Sequence, residues 1–171
     1  ILMNVEGSSW GICCNSLHYL DLFHGICNSK VSNISETKNL RWFKSKRKNY
    51  YELDDGILKI NCNTNILNLV SNNKKKKSDE FVKITILNGL NKWEILEKLN
   101  GHYISYKTKK FFFKNELLSS RMTKTIRYIL DKKNVDLPTF KESADLYRPL
   151  INFFLKKWRV KNKYSKIVPI T

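Results

Sequence analysis

The sequence predicts an α+β fold: a small, mostly antiparallel sheet covered by two or three helices, with an irregular N-terminal arm and a basic C-terminal tail. Two short β-prone runs, Gly56–Ile60 and Ile66–Val70, flank a turn-rich stretch and predict a hairpin. Alternating side chains over Phe81–Leu87 and Tyr103–Lys114 predict two further strands. Apolar residues spaced three or four apart in the last third of the chain predict amphipathic helices.

Composition divides the 171 residues into four parts. Residues 1–40 are a neutral arm that carries Cys and His. Residues 41–80 hold a basic aromatic segment, the hairpin and a lysine loop at Lys74–Lys77, where four adjacent like charges resist packing. Residues 81–160 form the α+β core, and residues 161–171 form the basic tail. This length allows one domain with its own core. No run of eighteen apolar residues occurs, so we expect no membrane span.

Four helices follow from local signals. A short one is predicted at Leu17–Phe23, within the otherwise irregular arm. Asn91 begins a capping-box pattern for a second helix. Asn115 is expected to cap a third helix, and a fourth begins near Ser143, where Pro149 marks a start or a kink. The apolar faces of the last three comprise Trp93, Leu96 and Leu99; Leu118, Met122, Ile126 and Ile129; and Tyr147, Leu150, Ile151, Phe154 and Trp158.

Positive charge is concentrated after residue 40. The chain carries a net charge of +17, and 30 of its 32 Lys and Arg residues lie in residues 41–171. A surplus of this size favours a polyanionic partner such as nucleic acid. The abundance of Lys and Asn is also typical of AT-rich genes, and part of the lysine content then reflects codon usage.

Three basic segments are the predicted RNA contacts. Arg41–Tyr51 alternates cations for phosphates with Trp42 and Tyr50, which would stack on unpaired bases. The alternative is a basic linker whose rings pack on the domain's own core. The basic C-terminal run would thread between phosphates, or else form a solvated tail. The predicted RNA-binding residues are Arg41, Trp42, Lys44, Lys46, Arg47, Lys48, Tyr50, Lys107, Lys109, Lys110, Lys156, Lys157, Arg159, Lys161, Lys163 and Lys166.

The Tyr103–Lys114 strand offers both lysines and aromatic rings. Its alternation as one strand puts Tyr103, Phe111 and Phe113 on one face. That face would resemble a nucleic-acid-binding sheet surface. A core strand with lysines extended at its edge is the alternative, and it is slightly favoured.

Two Cys and two His residues have spacings that suit metal binding. Cys14, His18, His24 and Cys27 would supply a Cys₂His₂ zinc site, but their arrangement matches no standard zinc motif. Small buried thiols are the favoured interpretation, so we predict no metal and no cofactor. The four cysteines do not form a disulfide framework, which favours a reducing compartment.

Motifs of catalysis are absent from the sequence. We find no P-loop, no dinucleotide fingerprint, no Ser- or Cys-based nucleophile motif and no nuclease-type acidic cluster. The sequence therefore predicts a protein that is not an enzyme.

These features together predict a non-catalytic, rRNA-binding structural constituent of a ribonucleoprotein, namely a divergent mitochondrial or other organellar ribosomal protein that acts in translation. Residues 1–40 would contact neighbouring proteins. The first residue is Ile1, for which removal of a transit peptide is one explanation, and we expect a location in the mitochondrial matrix. Two alternatives remain open: a peripheral accessory subunit of an organellar membrane complex, and a nucleic-acid processing factor.

Overall fold

The computed structural model describes residues 1–38, 40–72, 82–115, 118–132 and 138–170. The first elements in chain order are β1 (Leu2–Ser8), α1 (Ile12–Cys27), β2 (Asn33–Lys38), β3 (Arg41–Lys44), β4 (Tyr51–Asp54), β5 (Gly56–Cys62) and β6 (Asn65–Asn72). They are followed by β7 (Lys83–Asn88), β8 (Asn91–Lys98), β9 (Gly101–Tyr106), β10 (Lys109–Lys114), α2 (Leu118–Lys132) and α3 (Phe140–Arg159).

An eight-stranded mixed sheet with the order β10-β9-β8-β7-β1-β6-β5-β2 is the frame of the molecule. The central strand β1 runs parallel to β6 on one side and antiparallel to β7 on the other. The other neighbouring strands of this sheet pair antiparallel. β3 and β4 form a separate two-stranded sheet.

Helices α1 and α3 cover one face of the large sheet. Ile12, Leu20 and Phe23 of α1 are fully buried, as are Leu150 and Phe154 of α3. Removing a side chain of this kind from water stabilises the fold by roughly 1.5–3 kcal/mol. The sheet side of this core consists of Met3, Val5, Leu58, Ile60, Leu67, Leu69 and Ile84.

The opposite face of the sheet is polar at its centre. The Asn68 side chain donates a 2.8 Å hydrogen bond to Asn4 Oδ1 on the neighbouring strand. Further along, the Glu94 carboxylate lies 2.8 Å from Lys83 Nζ and 3.2 Å from Lys92 Nζ. Hydrogen bonds from these two lysines lower the pKa of Glu94. Such a face suits a largely antiparallel sheet, which tolerates water on one side.

The prediction of a small antiparallel sheet with an irregular N-terminal arm is wrong. The arm supplies β1, the centre of an eight-stranded sheet, and α1, which covers that sheet. Leu2–Ser8 lies in the arm that we expected to be irregular, but it is extended because it pairs on both sides. Those partners lie more than 60 residues away in sequence, so local composition does not reveal them.

The predicted helix beginning at Asn91 is also wrong, because this segment forms β8. Asn91 pairs with Asn88 across a two-residue turn that contains Gly89 at φ 56°. Ile95 pairs with Ile84 on one side and with Ile104 on the other. Paired strands on both sides of β8 therefore override the capping-box pattern.

The predicted single strand Tyr103–Lys114 is a hairpin of β9 and β10. Its two-residue turn contains Lys107 at φ 53°. The turn changes the alternation, so Tyr103 pairs with Phe112 while Phe111 pairs with Ile104. Tyr103 and Phe111 therefore lie on opposite faces, which corrects the predicted shared surface.

Three other local predictions are confirmed. The hairpin is β5–β6, with Asn63 at φ 56° in its turn. The helix around Leu17–Phe23 is α1, longer than expected. The last helix is α3, which contains Pro149 and begins behind a capping box of Thr139 and Glu142. Within the described ranges, no helix has the length and apolar character needed to cross a membrane. Lys74–Lys77 lies outside the described residues, and the domain boundaries stay predictions.

Candidate functional site

The turn between β1 and α1 is tightly built around Trp10. The Trp10 indole N–H donates a 2.8 Å hydrogen bond to the Val70 carbonyl of β6, and its ring meets Tyr19 edge-on at 5.3 Å. A Cβ atom at Gly7 would lie 2.8 Å from the Trp10 ring. Gly11, which directly precedes the helix, has φ 74°, a left-handed conformation that suits glycine. The tryptophan therefore fills the space above the carboxyl end of β1.

The first turn of α1 is capped by a carboxylate from another element. Glu52 of β4 accepts a 3.0 Å hydrogen bond from the backbone N–H of Cys13 through Oε2. The exposed N–H groups at a helix start carry partial positive charge, so an anion there is stabilising. Glu52 thus connects the small sheet to α1. Sequence reasoning missed this contact because no local signal links residues 39 positions apart.

A cavity of about 480 Å³ opens beside this helix start. Its walls come from the β1–α1 turn, the first turn of α1, and strands β3 and β4. Acidic and basic side chains both line the cavity. Its chemically relevant residues are Cys14, Asn15, Lys44, Lys46, Glu52 and Asp54. Such a space is large enough for a small organic ligand.

Cys14 and His18 lie on the outer face of α1, one helical turn apart, and both are exposed. Cys14 lines the cavity. In the part of the chain that the structure describes, His18 has no hydrogen-bond partner. The i, i+4 spacing was visible in the sequence, where we interpreted it only as a zinc-ligand spacing.

The other two histidines are engaged. His24 Nδ1 lies 3.1 Å from the Ser29 carbonyl oxygen. His102 Nδ1 lies 4.0 Å from Glu97 Oε1, while Glu97 Oε2 accepts a 2.9 Å hydrogen bond from the Tyr19 hydroxyl. Burial and the Glu97 carboxylate raise the pKa of Tyr19. This cluster links α1 to β8 and β9.

The candidate zinc ligands do not converge. Cys27 Sγ donates to the Phe23 carbonyl at 3.0 Å within its own helix, and His24 is held at Ser29. Across the described ranges, no three Cys, His, Asp or Glu side chains are grouped to hold a metal ion. Cys13 and Cys62 are buried, and burial raises the pKa of both thiols, to about 11 for Cys62.

The predicted RNA-binding residues fall into separate places. Trp42 packs edge-on against Trp158 of α3, with ring centroids 5.2 Å apart, so this ring packs within the domain as the alternative interpretation expected. Lys157 forms a 2.7 Å ion pair with Glu36. The lysines of the β9–β10 hairpin lie at one edge of the large sheet. Strand β2, which contacts α3, lies at the other edge. Binding of RNA by any of these residues stays a prediction.

No protein-family model matches the chain, and no curated protein matches it by sequence. Solved structures do share its fold. They include a dehydrogenase from Clostridium difficile (TM-score 0.53, 10% identity, 95% of this chain and 54% of that one). UDP-N-acetylglucosamine 3-dehydrogenase from Acidithiobacillus ferrooxidans is similar (TM-score 0.52, 10% identity, 87% and 49%). So is a Gfo/Idh/MocA family oxidoreductase from Vibrio cholerae (TM-score 0.50, 9% identity, 92% and 53%).

The chain spans about half the length of these structures. Their fold overturns the prediction of a non-catalytic ribosomal protein, because the proteins that share it are dehydrogenases and oxidoreductases. The predicted class, a structural constituent that is not an enzyme, is corrected with it. That prediction rested on the net positive charge and on the absence of catalytic motifs, and neither of these determines the chain topology. The expected mitochondrial location and the protein contacts of residues 1–40 stay predictions.

Proposed function

We propose that this chain is the sheet-forming half of an oxidoreductase. One observation carries the proposal: 87–95% of the chain superposes on 49–54% of enzymes that are named dehydrogenases or oxidoreductases. An enzyme of that architecture has a second half of similar length. Dehydrogenation needs a hydride acceptor such as a nicotinamide dinucleotide, which supplies that chemistry when it is bound.

The first strand-to-helix turn of this chain does not fit such a dinucleotide. Doubly wound dinucleotide-binding folds have a parallel sheet. Their pyrophosphate lies at the N-terminus of the helix that follows a glycine-rich turn. Here the Trp10 ring occupies the space beside Gly7, and the Glu52 carboxylate already accepts from the Cys13 N–H. A pyrophosphate would also be repelled by Glu52. Among the described strands of the large sheet, β1 and β6 are the parallel pair and the other neighbours run antiparallel. We therefore assign the dinucleotide to the other half.

The contribution of this chain is a wall of the substrate site at the 480 Å³ cavity. Oxidation of a hydroxyl group requires removal of the hydroxyl proton, and His18 is the unengaged imidazole on the helix that borders the cavity. Imidazole is the side chain that most often transfers the proton in general acid–base catalysis. Lys44 and Lys46 provide positive charge at the same cavity.

The test uses protein immunopurified from its native source with an antibody against this chain, so that every covalent or bound part is retained. We expect oxidation of a hydroxylated substrate with NAD⁺ or NADP⁺ as the hydride acceptor, followed by the appearance of NADH or NADPH and screened first with sugar nucleotides. In a recombinant version of the same protein, His18→Gln should lower kcat by about 10²–10⁴-fold with dinucleotide binding unchanged. His24→Gln is the matched control, because His24 is held at the Ser29 carbonyl.

Two results would contradict the proposal at different levels. Purified protein without dinucleotide binding or hydride transfer would remove the oxidoreductase assignment. Full turnover of His18→Gln would leave that assignment in place and exclude His18 as the proton-transferring group.

A further inference from the structure

A second cavity, of about 390 Å³, lies where β3 and the β4–β5 turn meet the C-terminal turn of α3. Its size falls in the range of small-molecule sites. The edge-on contact of Trp42 and Trp158 joins its two sides, and Tyr51 lies 4.7 Å from the same Trp158 ring. The cavity is therefore made by tertiary packing of segments distant in sequence.

The charge around this cavity is unbalanced. Arg41, Lys157 and Lys161 line it, and Asp55 is the acidic lining residue. Lys157 is already paired with Glu36 at 2.7 Å, and its side chain is only 17% exposed. Arg41 and Lys161 have no ion-pair partner among the residues that the structure describes. Two uncompensated cations thus share one concave surface, which concentrates positive potential there.

Helix electrostatics accounts for only part of this arrangement. Cations near a helix C-terminus are stabilised by its exposed carbonyl groups, which explains Lys157 and Lys161. Arg41 belongs to β3 and lies outside that helix. Helix electrostatics therefore does not explain the position of Arg41 at the same cavity.

The wall also holds an unsatisfied donor. Trp42 Nε1 is the one buried side-chain nitrogen or oxygen without a hydrogen-bond partner among the described residues. Leaving such a buried group unpaired is energetically unfavourable. Trp42 itself lines the cavity, so an oxygen of a bound anion is a candidate acceptor for this donor.

We propose that this cavity binds a small molecule carrying a phosphate group and hydroxyl groups. The Arg41 guanidinium, with its planar fork of donors, and the Lys161 ammonium bind the phosphate oxygens. Trp42 Nε1 donates to one of these oxygens. The Asp55 carboxylate accepts from a hydroxyl of the organic part.

Calorimetric and NMR titrations of the chain with ribose 5-phosphate and with inorganic phosphate, at fixed ionic strength, test the site. We expect one site per chain, a shift of the Trp42 indole proton, and tighter binding of the ester. The double variant Arg41→Ala with Lys161→Ala should weaken the binding of both ligands by at least about tenfold, because the loss of even one charge-assisted contact has an effect of that size. Lys156→Ala with Lys163→Ala removes the same charge outside the cavity and should change affinity by less than about twofold.

A third variant tests the hydroxyl contact. Asp55 has φ 62°, and asparagine adopts this conformation readily, so Asp55→Asn should preserve the turn. We expect it to weaken ribose 5-phosphate relative to inorganic phosphate. Equal losses from the two double variants would show bulk charge alone and overturn the proposal. Absence of saturable binding, or preferential binding of single-stranded RNA over both small ligands, would overturn it as well.

Discussion

Cys13 and Cys14 are adjacent in the chain but lie in opposite environments. Cys13 is 1% exposed, and burial with the nearby Glu52 carboxylate raises its pKa. Cys14 is on the outer face of α1 at the 480 Å³ cavity. A thiolate is the reactive form of cysteine, so reactivity follows exposure and pKa.

We expect iodoacetamide at mildly alkaline pH to modify Cys14 first, with Cys13 and Cys62 protected until the chain unfolds. Burial raises the pKa of Cys62 to about 11, so few of its thiols are ionised under these conditions. Peptide mass spectrometry over time measures the order. Alkylation in denaturant, where all four thiols should react at similar rates, is the control. Early modification of Cys13 in folded protein would contradict the packing of α1.

Tyr19 gives a pH-dependent prediction. Burial and Glu97 raise its pKa in the folded state, so its stabilisation is present below the unfolded pKa of about 10 and is lost as pH rises above it. Tyr19→Phe should lower the free energy of unfolding by about 1 kcal/mol at neutral pH. The variant should also lose less stability than the wild type between about pH 9 and 11.

Chemical denaturation at several pH values measures both effects. Tyr164→Phe is the matched control, because Tyr164 is 97% exposed and should retain the wild-type dependence. Identical pH profiles for wild type and Tyr19→Phe would show that the Tyr19–Glu97 hydrogen bond does not act on stability.

Single elements show where sequence patterns succeed. The hairpin β5–β6 and the helix α3 were predictable because their signals are local: a short turn between β-prone runs and the helical spacing of an apolar stripe. β8 was not, because Asn91–Lys98 carries helix-like spacing while pairing with β7 and β9 on both sides. The Cys14–His18 spacing was visible in the sequence. The cavity that Cys14 lines was not, because β3 and β4 form its other walls.

Two glycines give a paired prediction at this scale. A Cβ atom at Gly101 would lie 2.3 Å from the Phe113 carbonyl oxygen, so Gly101→Ala should destabilise the β9–β10 hairpin by about 1–3 kcal/mol. Gly25, inside α1, has no atom within 4 Å of an added Cβ. Gly25→Ala should stabilise the protein by about 0.5–1 kcal/mol. Thermal unfolding measures both, and a destabilised Gly25→Ala would contradict the exposed helix face.

The whole molecule carries a net charge of +17, which dominated the functional interpretation of the sequence. Charge is a sum over residues, whereas the strand order β7-β1-β6 depends on pairings such as Leu2 with both Leu87 and Ile66. Composition does not specify such pairings, so the similarity to these enzymes became visible only through the fold of the chain.

At this scale we expect the isolated chain to be folded but unable to bind NADH or NADPH. Trp10 fills the space beside Gly7, and Glu52 occupies the start of α1. Titration followed by nucleotide fluorescence measures this, with circular dichroism as the check on folding. Saturable binding with a Kd below about 0.1 mM would show that the dinucleotide site lies within this chain.

The central position of β1 has a consequence for how the chain reaches its fold. β1 is synthesised before its partners β6 and β7, which end at Asn72 and Asn88. At roughly 5–20 residues per second of synthesis, the strand waits about 4–16 s before both partners exist. Met3 and Val5, fully buried in the finished sheet, are unprotected during this interval. Non-local pairing of this kind also slows folding and lengthens exposure to aggregation. The N-terminal strand is therefore the segment that a chaperone would need to shield during synthesis.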